Sequence, residues 1–201
     1  MSTGPLVRRA RYTEVGTIAA LVAEAGHALP IAAWLIPDQP RRAAILTEAA
    51  RIWVEHSLFF GEVHVIVDED GLAGAAVWFH RYRPLPPPAA YEQRLAAACG
   101  EHRERFAALG ALLDDQRPEK GHQHLAFLAV TTDLHGTGIA TALLDHHHTR
   151  LDRYGTPAYA EAYTPAHQRL LARHGYQARP ALHLPGQNTI HPMWRPGHSE
   201  T

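Results

Sequence analysis

The chain has 201 residues, of which 46% are hydrophobic and 19% are charged, and its formal net charge is -1. This composition predicts a single folded domain spanning residues 1–201, and the balanced charge predicts neither a nucleic-acid partner nor a membrane partner. The only cysteine, Cys99, excludes an intramolecular disulfide and a cysteine-based zinc site. Charged residues interrupt the apolar residues near the N-terminus, so we expect no signal peptide and no membrane span, and a cytoplasmic protein.

The first half of the chain alternates between patterns typical of strands and of helices. Its predicted elements are a strand at 6–11, a helix capped by Thr13 and ended by Gly26, a helix at 40–55, and a hairpin formed by 63–67 and 72–79. Residues 83–88 are predicted to form a stiff connector, because four of them are prolines, which lack an amide proton. An alanine-rich helical stretch at 89–113 follows, with Gly100 and Gly110 as candidate breaks.

The second half predicts a strand–loop–helix unit followed by a strand, a helix and a hairpin. These elements are a strand at 122–130, a helix at 138–154, a strand at 157–163, a helix at 165–174, a strand at 176–184 and a strand at 189–194. A strand–loop–helix unit followed by a strand favours parallel pairing of its two strands, whereas the strands of a hairpin are antiparallel. The sequence therefore predicts an α/β fold with a mixed sheet.

The loop between the predicted strand and helix has the composition of an anion site. It reads His135-Gly136-Thr137-Gly138. Glycines allow a sharp turn and leave backbone amides uncovered, and the helix N-terminus adds a partial positive charge. A pyrophosphate suits this loop, and the strand leading into it can hydrogen-bond an extended, amide-bearing chain, so coenzyme A fits both parts. The loop lacks the third glycine of a dinucleotide fingerprint and the lysine of a P-loop. Tight packing at the glycines is the alternative.

Residues 130–140 resemble motif A of the GNAT superfamily of N-acetyltransferases, whose pattern is Gln or Arg, any two residues, Gly, any residue, then Gly or Ala. His135 stands at the first position, Gly138 at the glycine and Ala140 at the last position. The resemblance implies an acyltransferase with acetyl-CoA as co-substrate and no metal. The coenzyme contacts that it implies are Leu128, Ala129, Val130, His135, Gly136, Thr137, Gly138, Ile139, Ala140 and Thr141. It also implies the GNAT fold, with a mostly antiparallel sheet of about seven strands, flanked by helices and splayed between strands 4 and 5.

Two further segments extend the resemblance. Residues 157–162 look like the fifth strand of the family, and residues 173–176 look like its Arg-x-Gly-aromatic helix exit. The layout is most similar to puromycin N-acetyltransferase and related actinobacterial enzymes, although the similarity is patchy over 84–113. The implied acceptor is a small-molecule amine, such as an aminonucleoside antibiotic in a resistance reaction or a biosynthetic intermediate, and the implied assembly is a monomer or homodimer. A protein or peptide amine and a non-catalytic acyl-CoA-binding role are the alternatives.

The family usually protonates the departing thiolate with a tyrosine on the helix after the fifth strand, and Leu171 stands at that position here. Tyr163, His167 or water is the expected substitute. Glu161 is predicted to be the general base, with a pKa raised by its apolar surroundings, and His124 is the second candidate. A structural role for Glu161 and a surface role for His124 are the alternatives.

Two further groups of side chains complete the sequence-based expectations. Trp34 and Tyr82, together with Glu161, are predicted to line the acceptor pocket, which would then suit a partly aromatic or apolar acceptor. A place in the core or at a hinge is the alternative for the two aromatic residues. The run His146-His147-His148 is predicted to form a solvated helix face with one ring packed inward. Because successive helical side chains point about 100° apart, adjacent histidines cannot converge on one ion, and no metal site is expected.

Overall fold

The computed structural model describes residues 6–186 and 188–197. Its strands are β1 (Val7–Arg9), β2 (Gly61–Asp68), β3 (Gly71–Arg81), β4 (His122–Val130), β5 (Ala158–Ala162), β6 (Gln177–Ala178), β7 (Leu182–Leu184) and β8 (Asn188–Arg195). Its helices are α1 (Val15–His27), α2 (Pro30–Leu35), α3 (Gln39–Phe60), α4 (Tyr91–Cys99), α5 (Arg103–Asp115), α6 (Ile139–Arg153) and α7 (Pro165–Arg173). Within these ranges, no helix combines the length and the apolar character that crossing a membrane requires.

One sheet organises these elements. Its strand order is β1-β2-β3-β4-β5-β8-β6, with β7 also paired to β8. The β4–β5 pair is parallel, and the other pairs are antiparallel. The predicted mixed, mostly antiparallel sheet flanked by helices is therefore confirmed.

Side chains alternate across the strands, so the sheet has two buried faces. The face that we call the α6 face packs against α6 through Ile66, Trp78, Leu125, Ala160, Leu143 and Leu144. The face that we call the α1 face packs against α1 and α3 through Val63, Val65, Val77, Ile18 and Val54. A third group, the helical cluster, joins α2, α3 and α4 through Ile31, Leu35, Ile45, Leu95 and Cys99.

The predicted strand at 176–184 is wrong as a single element. The structure divides it into β6 and β7, because Pro180 lies between them and cannot donate a ladder hydrogen bond. Helix α2 was not predicted, since it is only six residues long. The alanine-rich stretch breaks at Gly100, whose φ is +53°, whereas Gly110 lies inside α5.

Strands β4 and β5 separate after a short parallel pairing. They pair only from Gln123–Ala158 to Leu125–Ala160. Beyond this point β5 follows β8, while β4 follows β3 as far as Val130. The register of β4 against β3 shifts at Ala126, which leaves this residue without a partner on β3. The result is the splay predicted between strands 4 and 5, and the edge of β4 that faces it has no paired strand beyond Leu125 within the described chain.

Candidate active site

The loop after β4 is shaped by two glycines with positive φ. Gly136 has φ +80° and Gly138 has φ +94°, a region that L side chains rarely adopt. A Cβ added at either position would meet no heavy atom within 4 Å. Close packing therefore does not explain these glycines, and the backbone conformation does. This excludes the packing alternative for the loop.

The loop is held by its own hydrogen bonds and leaves other amides unused. The hydroxyl of Thr137 donates to the carbonyl of Leu134 at 2.7 Å, and the His135 ring lies 3.1 Å from the carbonyl oxygen of Val130. The amides of Gly138, Ile139 and Ala140 donate to no backbone carbonyl among the described residues. They lie at the N-terminus of α6, where a free helix end concentrates amide donors and partial positive charge.

The residues predicted to contact the coenzyme form one continuous surface. Leu128 and Val130 lie at the margin of the α6 face, and Ala129 points to the α1 face. Their backbone forms the unpaired edge of β4, and the loop continues from Val130 into α6. The edge, the loop and the helix N-terminus therefore lie along one path beside the splay.

Glu161 and His124 face each other across the β4–β5 pair on the α1 face. The Nε2 atom of His124 lies 2.8 Å from Oε2 of Glu161, and the two side chains are 7% and 4% exposed. Because an ionised carboxylate can only accept, Nε2–H is the donor, and in the neutral ring Nδ1 is then the nitrogen with the lone pair. Nδ1 has no hydrogen-bond partner among the described residues.

The predicted raised pKa of Glu161 is wrong. Burial by itself raises the pKa of this carboxyl, but His124, Arg117 and Arg81 together hold it below its usual value. Glu161 is therefore an anion at neutral pH. A carboxylate held in this way orients and stabilises a protonated imidazole better than it removes a proton itself.

Three residues around this pair were not identified from the sequence. Burial and the nearby Glu161 charge raise the pKa of Tyr159. Burial lowers the pKa of Arg81 to about 10, and Arg117 forms an ion pair with Asp114. Tyr159 could have been found, because it alternates with Glu161 on β5 and so shares its face. The two arginines come from distant segments, which no local pattern connects to Glu161.

The candidate proton donors lie apart from one another. Tyr163 packs against the helical cluster, and burial raises its pKa. His167 lies in the first turn of α7, where its backbone amide donates to the Thr164 hydroxyl. Burial and the charge of His135 lower the pKa of His167, so His167 lies near the loop that contains His135. Leu171 is 3% exposed and fills the core under α6.

The structure does not bring Tyr82 together with Glu161. The Tyr82 hydroxyl accepts a hydrogen bond from Gln123 Nε2 at 2.7 Å. Gln123 and His124 are consecutive in a strand and so point to opposite faces. Tyr82 borders a cavity of about 300 Å³ on the α6 face, whereas Glu161 lies on the α1 face. Trp34 packs against the helical cluster, and its carbonyl accepts from Arg105 at 2.6 Å.

The expectation that one ring of the histidine run packs inward is wrong, because two rings do. His147 and His148 are 1% and 4% exposed, whereas His146 is exposed. His147 stacks on Trp78 with ring centroids 3.9 Å apart, and His148 lies 3.1 Å from the Tyr176 hydroxyl. Both positions share the buried stripe of α6 with leucines at helical spacing.

No protein-family model and no curated protein sequence matches the chain. Solved structures do match. One titled histone acetyltransferase HPA2 and related acetyltransferase, from Corynebacterium glutamicum, has a TM-score of 0.76 at 24% identity and covers 99% of both chains. Drosophila melanogaster polyamine N-acetyltransferase has a TM-score of 0.66 at 17% identity and covers 95% of this chain and 99% of its own.

A third structure, a GCN5-related N-acetyltransferase from Rhodopseudomonas palustris, has a TM-score of 0.58 at 14% identity and covers 98% of both chains. All three structures match at least 95% of this chain. The chain therefore has the GNAT fold, that of the GCN5-related N-acetyltransferases.

Proposed function

We propose that this protein is an acetyl-CoA-dependent N-acetyltransferase that transfers the acetyl group directly to the amine of a small molecule. One observation carries the proposal: the unpaired edge of β4 leads straight to free amides at the N-terminus of α6. An edge strand binds an extended amide-bearing chain, and a helix N-terminus binds a pyrophosphate. Coenzyme A has these two groups in this order.

The thioester end of the coenzyme would lie where β4 and β5 part, next to the His124–Glu161 pair. We assign His124 as the general base, because its Nδ1 is the atom left with a lone pair. Nδ1 takes a proton from the acceptor ammonium, directly or through one water, and the amine then attacks the thioester carbon. The C–N bond forms, the C–S bond breaks, and the electron pair leaves with sulfur. The nitrogen then loses its second proton through water, and the thiolate takes up one proton to become the thiol.

Glu161 supports this step without touching the reacting atoms. Its carboxylate accepts from Nε2–H of His124, fixes the ring and stabilises the imidazolium that forms. The coenzyme thiolate leaves without help from Leu171, because a thiol with a pKa of about 8.5 is a tolerable leaving group. His167, near the loop that contains His135, is the side chain that we propose to return a proton through water.

A covalent enzyme intermediate is not part of the proposal. The only cysteine of the sequence, Cys99, lies in the helical cluster on α4. Burial raises the pKa of its thiol to about 11, so Cys99 is a weak nucleophile at neutral pH. We therefore propose that the acetyl group passes directly from the coenzyme to the amine, without an acyl-cysteine intermediate.

The acceptor class rests on two supports of different kinds. One similar structure is a polyamine N-acetyltransferase, which favours a small amine, while another carries a histone acetyltransferase title, which keeps a protein amine as the second candidate. Around Glu161, the guanidinium groups of Arg81 and Arg117 add positive charge. This positive charge favours an amine that enters with a polar or anionic group beside it over a bare polycation.

Thiol release tests the proposal. The protein is mixed with acetyl-CoA and a panel comprising an aminonucleoside, a polyamine, an arylalkylamine, an amino acid and a peptide with a free N-terminus. We expect release that requires both acetyl-CoA and one small amine, with the acetylated amine detected by mass spectrometry. Release with the peptide alone would favour the protein acetyltransferase. Coenzyme binding without release for any amine would favour a non-catalytic acyl-CoA-binding protein.

A further inference from the structure

A second buried group of ionisable side chains lies on the α6 face, away from the proposed coenzyme site. Glu62 and His64 alternate along β2 and so point to the same side of the sheet, where α6 brings His147 over them. One carboxylate oxygen and one nitrogen from each ring lie within 4.8 Å of one another. We call Glu62, His64 and His147 the β2–α6 cluster.

The cluster holds polar atoms that the protein does not satisfy. His147 is 1% exposed, and neither of its ring nitrogens has a hydrogen-bond partner among the described residues. The Oε2 atom of Glu62 and Nδ1 of His64 also lack one. A buried polar atom without a partner costs about 1–3 kcal/mol. Four such atoms on three neighbouring side chains therefore point to a ligand that takes one atom from each side chain.

The two oxygens of Glu62 have different surroundings. Oε1 accepts from Arg150 at 2.5 Å and lies 3.1 Å from Nη2 of Arg9. Oε2 lies 3.4 Å from Nε2 of His64 and makes no hydrogen bond. The arginines thus keep the carboxylate ionised and fix its orientation. They contact Oε1 and leave Oε2 facing His64.

Both histidines are buried, and each has a ring nitrogen without a hydrogen-bond partner among the described residues. His147 is also held in place by stacking on Trp78. A buried ring that is held in place and keeps an unpaired nitrogen is preorganised to donate to a cation.

We propose that Glu62, His64 and His147 bind a divalent transition-metal ion, with Zn²⁺ as the best-fitting ion. Two imidazoles and one carboxylate form a donor set that zinc uses when it keeps one position open. Zinc bonds of about 2.0–2.1 Å place neighbouring ligand atoms about 3.3 Å apart. The cluster therefore needs to contract by at most about 1.5 Å from its present spacing, which small side-chain rotations supply.

The open position faces a cavity. A space of about 350 Å³ lies over the cluster, lined by His64, His146, His147, Thr149, Arg150 and Arg153. Its arginines favour water or a small anion as the fourth ligand. The ring of exposed His146 lies 4.8 Å from that of His64, at the rim of this cavity.

The bound ion would connect β2, which β3 separates from β4, to α6, whose N-terminus belongs to the proposed coenzyme site. His147 lies eight residues after Ile139, about 12 Å along α6 from its N-terminus. The ion would tie the second half of this helix to β2 and so fix α6 against the sheet. The proposed metal site does not depend on acetyl transfer. Metal-binding measurements alone therefore test it.

The test uses the full chain without a histidine tag, freed of metal with a chelator. Co²⁺ and then Zn²⁺ are titrated and followed by visible absorption and by calorimetry. We expect one saturable equivalent, a tetrahedral Co²⁺ spectrum that Zn²⁺ removes, and a thermal midpoint that rises with Zn²⁺. Glu62→Gln and His147→Gln should each weaken binding at least about 100-fold, because even outer-shell partners of a metal contribute 10- to 100-fold.

The matched control is His183→Gln, which removes an exposed histidine of β7 and should leave the affinity unchanged. If a cluster variant fails to fold, X-ray absorption of the wild-type zinc protein decides instead, with two imidazoles and at least one oxygen expected at about 2.0–2.1 Å. Weak binding of several equivalents without a thermal shift would overturn the proposal. One tight equivalent that survives both cluster variants would overturn it as well.

Discussion

Two buried glutamate–histidine groups lie on opposite faces of the same sheet, and they differ in what the glutamate binds. Glu161 accepts from His124 at 2.8 Å, whereas Glu62 accepts from Arg150 and makes no hydrogen bond with His64 or His147. In both groups burial raises the carboxyl pKa and the neighbouring partners lower it further than burial raises it. The partner of the carboxylate thus decides whether a histidine is oriented for proton transfer or left free to bind a cation.

His124→Gln separates the two groups most strongly. Glutamine keeps a donor toward Glu161 but cannot accept a proton, so we expect kcat to fall about 10²- to 10⁴-fold with little change in coenzyme affinity. His64→Gln, on the other face, should keep kcat within about threefold. Steady-state kinetics with calorimetry of coenzyme binding measures both. Equal losses in the two variants would mean that His124 acts only through the fold.

Glu161→Gln should have the next largest effect. The amide still accepts from His124 but no longer stabilises the imidazolium with a charge, so we expect kcat to fall about 10- to 100-fold. The matched control is Glu62→Gln, which should change kcat less than about threefold. A kcat of Glu161→Gln equal to that of the wild type would remove Glu161 from the proposed mechanism.

Glu62→Gln should act on stability instead of turnover. At pH 7 and without metal, we expect a loss of about 1–2 kcal/mol in the free energy of unfolding, since a buried charged hydrogen bond is weakened. The folded pKa of Glu62 is lowered, so its stabilisation is present above the unfolded pKa of about 4.3 and is lost as the pH falls toward the folded value.

Urea unfolding at pH 7 and at pH 3 measures this pH dependence. The difference between wild type and Glu62→Gln should shrink at pH 3. Glu69→Gln, in the exposed turn after β2, should show no difference at either pH. A gap between wild type and Glu62→Gln that is as large at pH 3 as at pH 7 would show that His80 and the arginines do not lower the pKa of this carboxyl.

The two faces also differ in how far the sequence could predict them. The loop and the start of α6 were predictable, because glycines, strand and helix lie within a few residues of each other. Glu161 and His124 were each identified, but their pairing depends on the β4–β5 register, and the sign of the Glu161 pKa shift depends on Arg81 and Arg117. Neither the strand register nor the positions of these arginines can be read from the local sequence pattern.

The histidine run shows a signal that was available. His147 and His148 fall on the same helical stripe as Leu144 and Leu151, at spacings of three and four residues, which predicts both rings inward. Their convergence with β2 was not predictable, because Glu62 and His64 lie more than 80 residues earlier in the chain. Helical periodicity excludes a metal site built from the run alone, but it says nothing about ligands from a neighbouring strand.

The proposed coenzyme-binding site is tested most directly by calorimetric titration of acetyl-CoA into the wild type and into Gly138→Asp. The φ of +94° at Gly138 strains any side chain, and a carboxylate there opposes the pyrophosphate at the helix N-terminus. Gly110→Asp, within exposed α5, controls for the substitution itself. We expect binding by the wild type and by Gly110→Asp, with affinity reduced at least about 100-fold in a folded Gly138→Asp. Unchanged affinity in Gly138→Asp would contradict the coenzyme site.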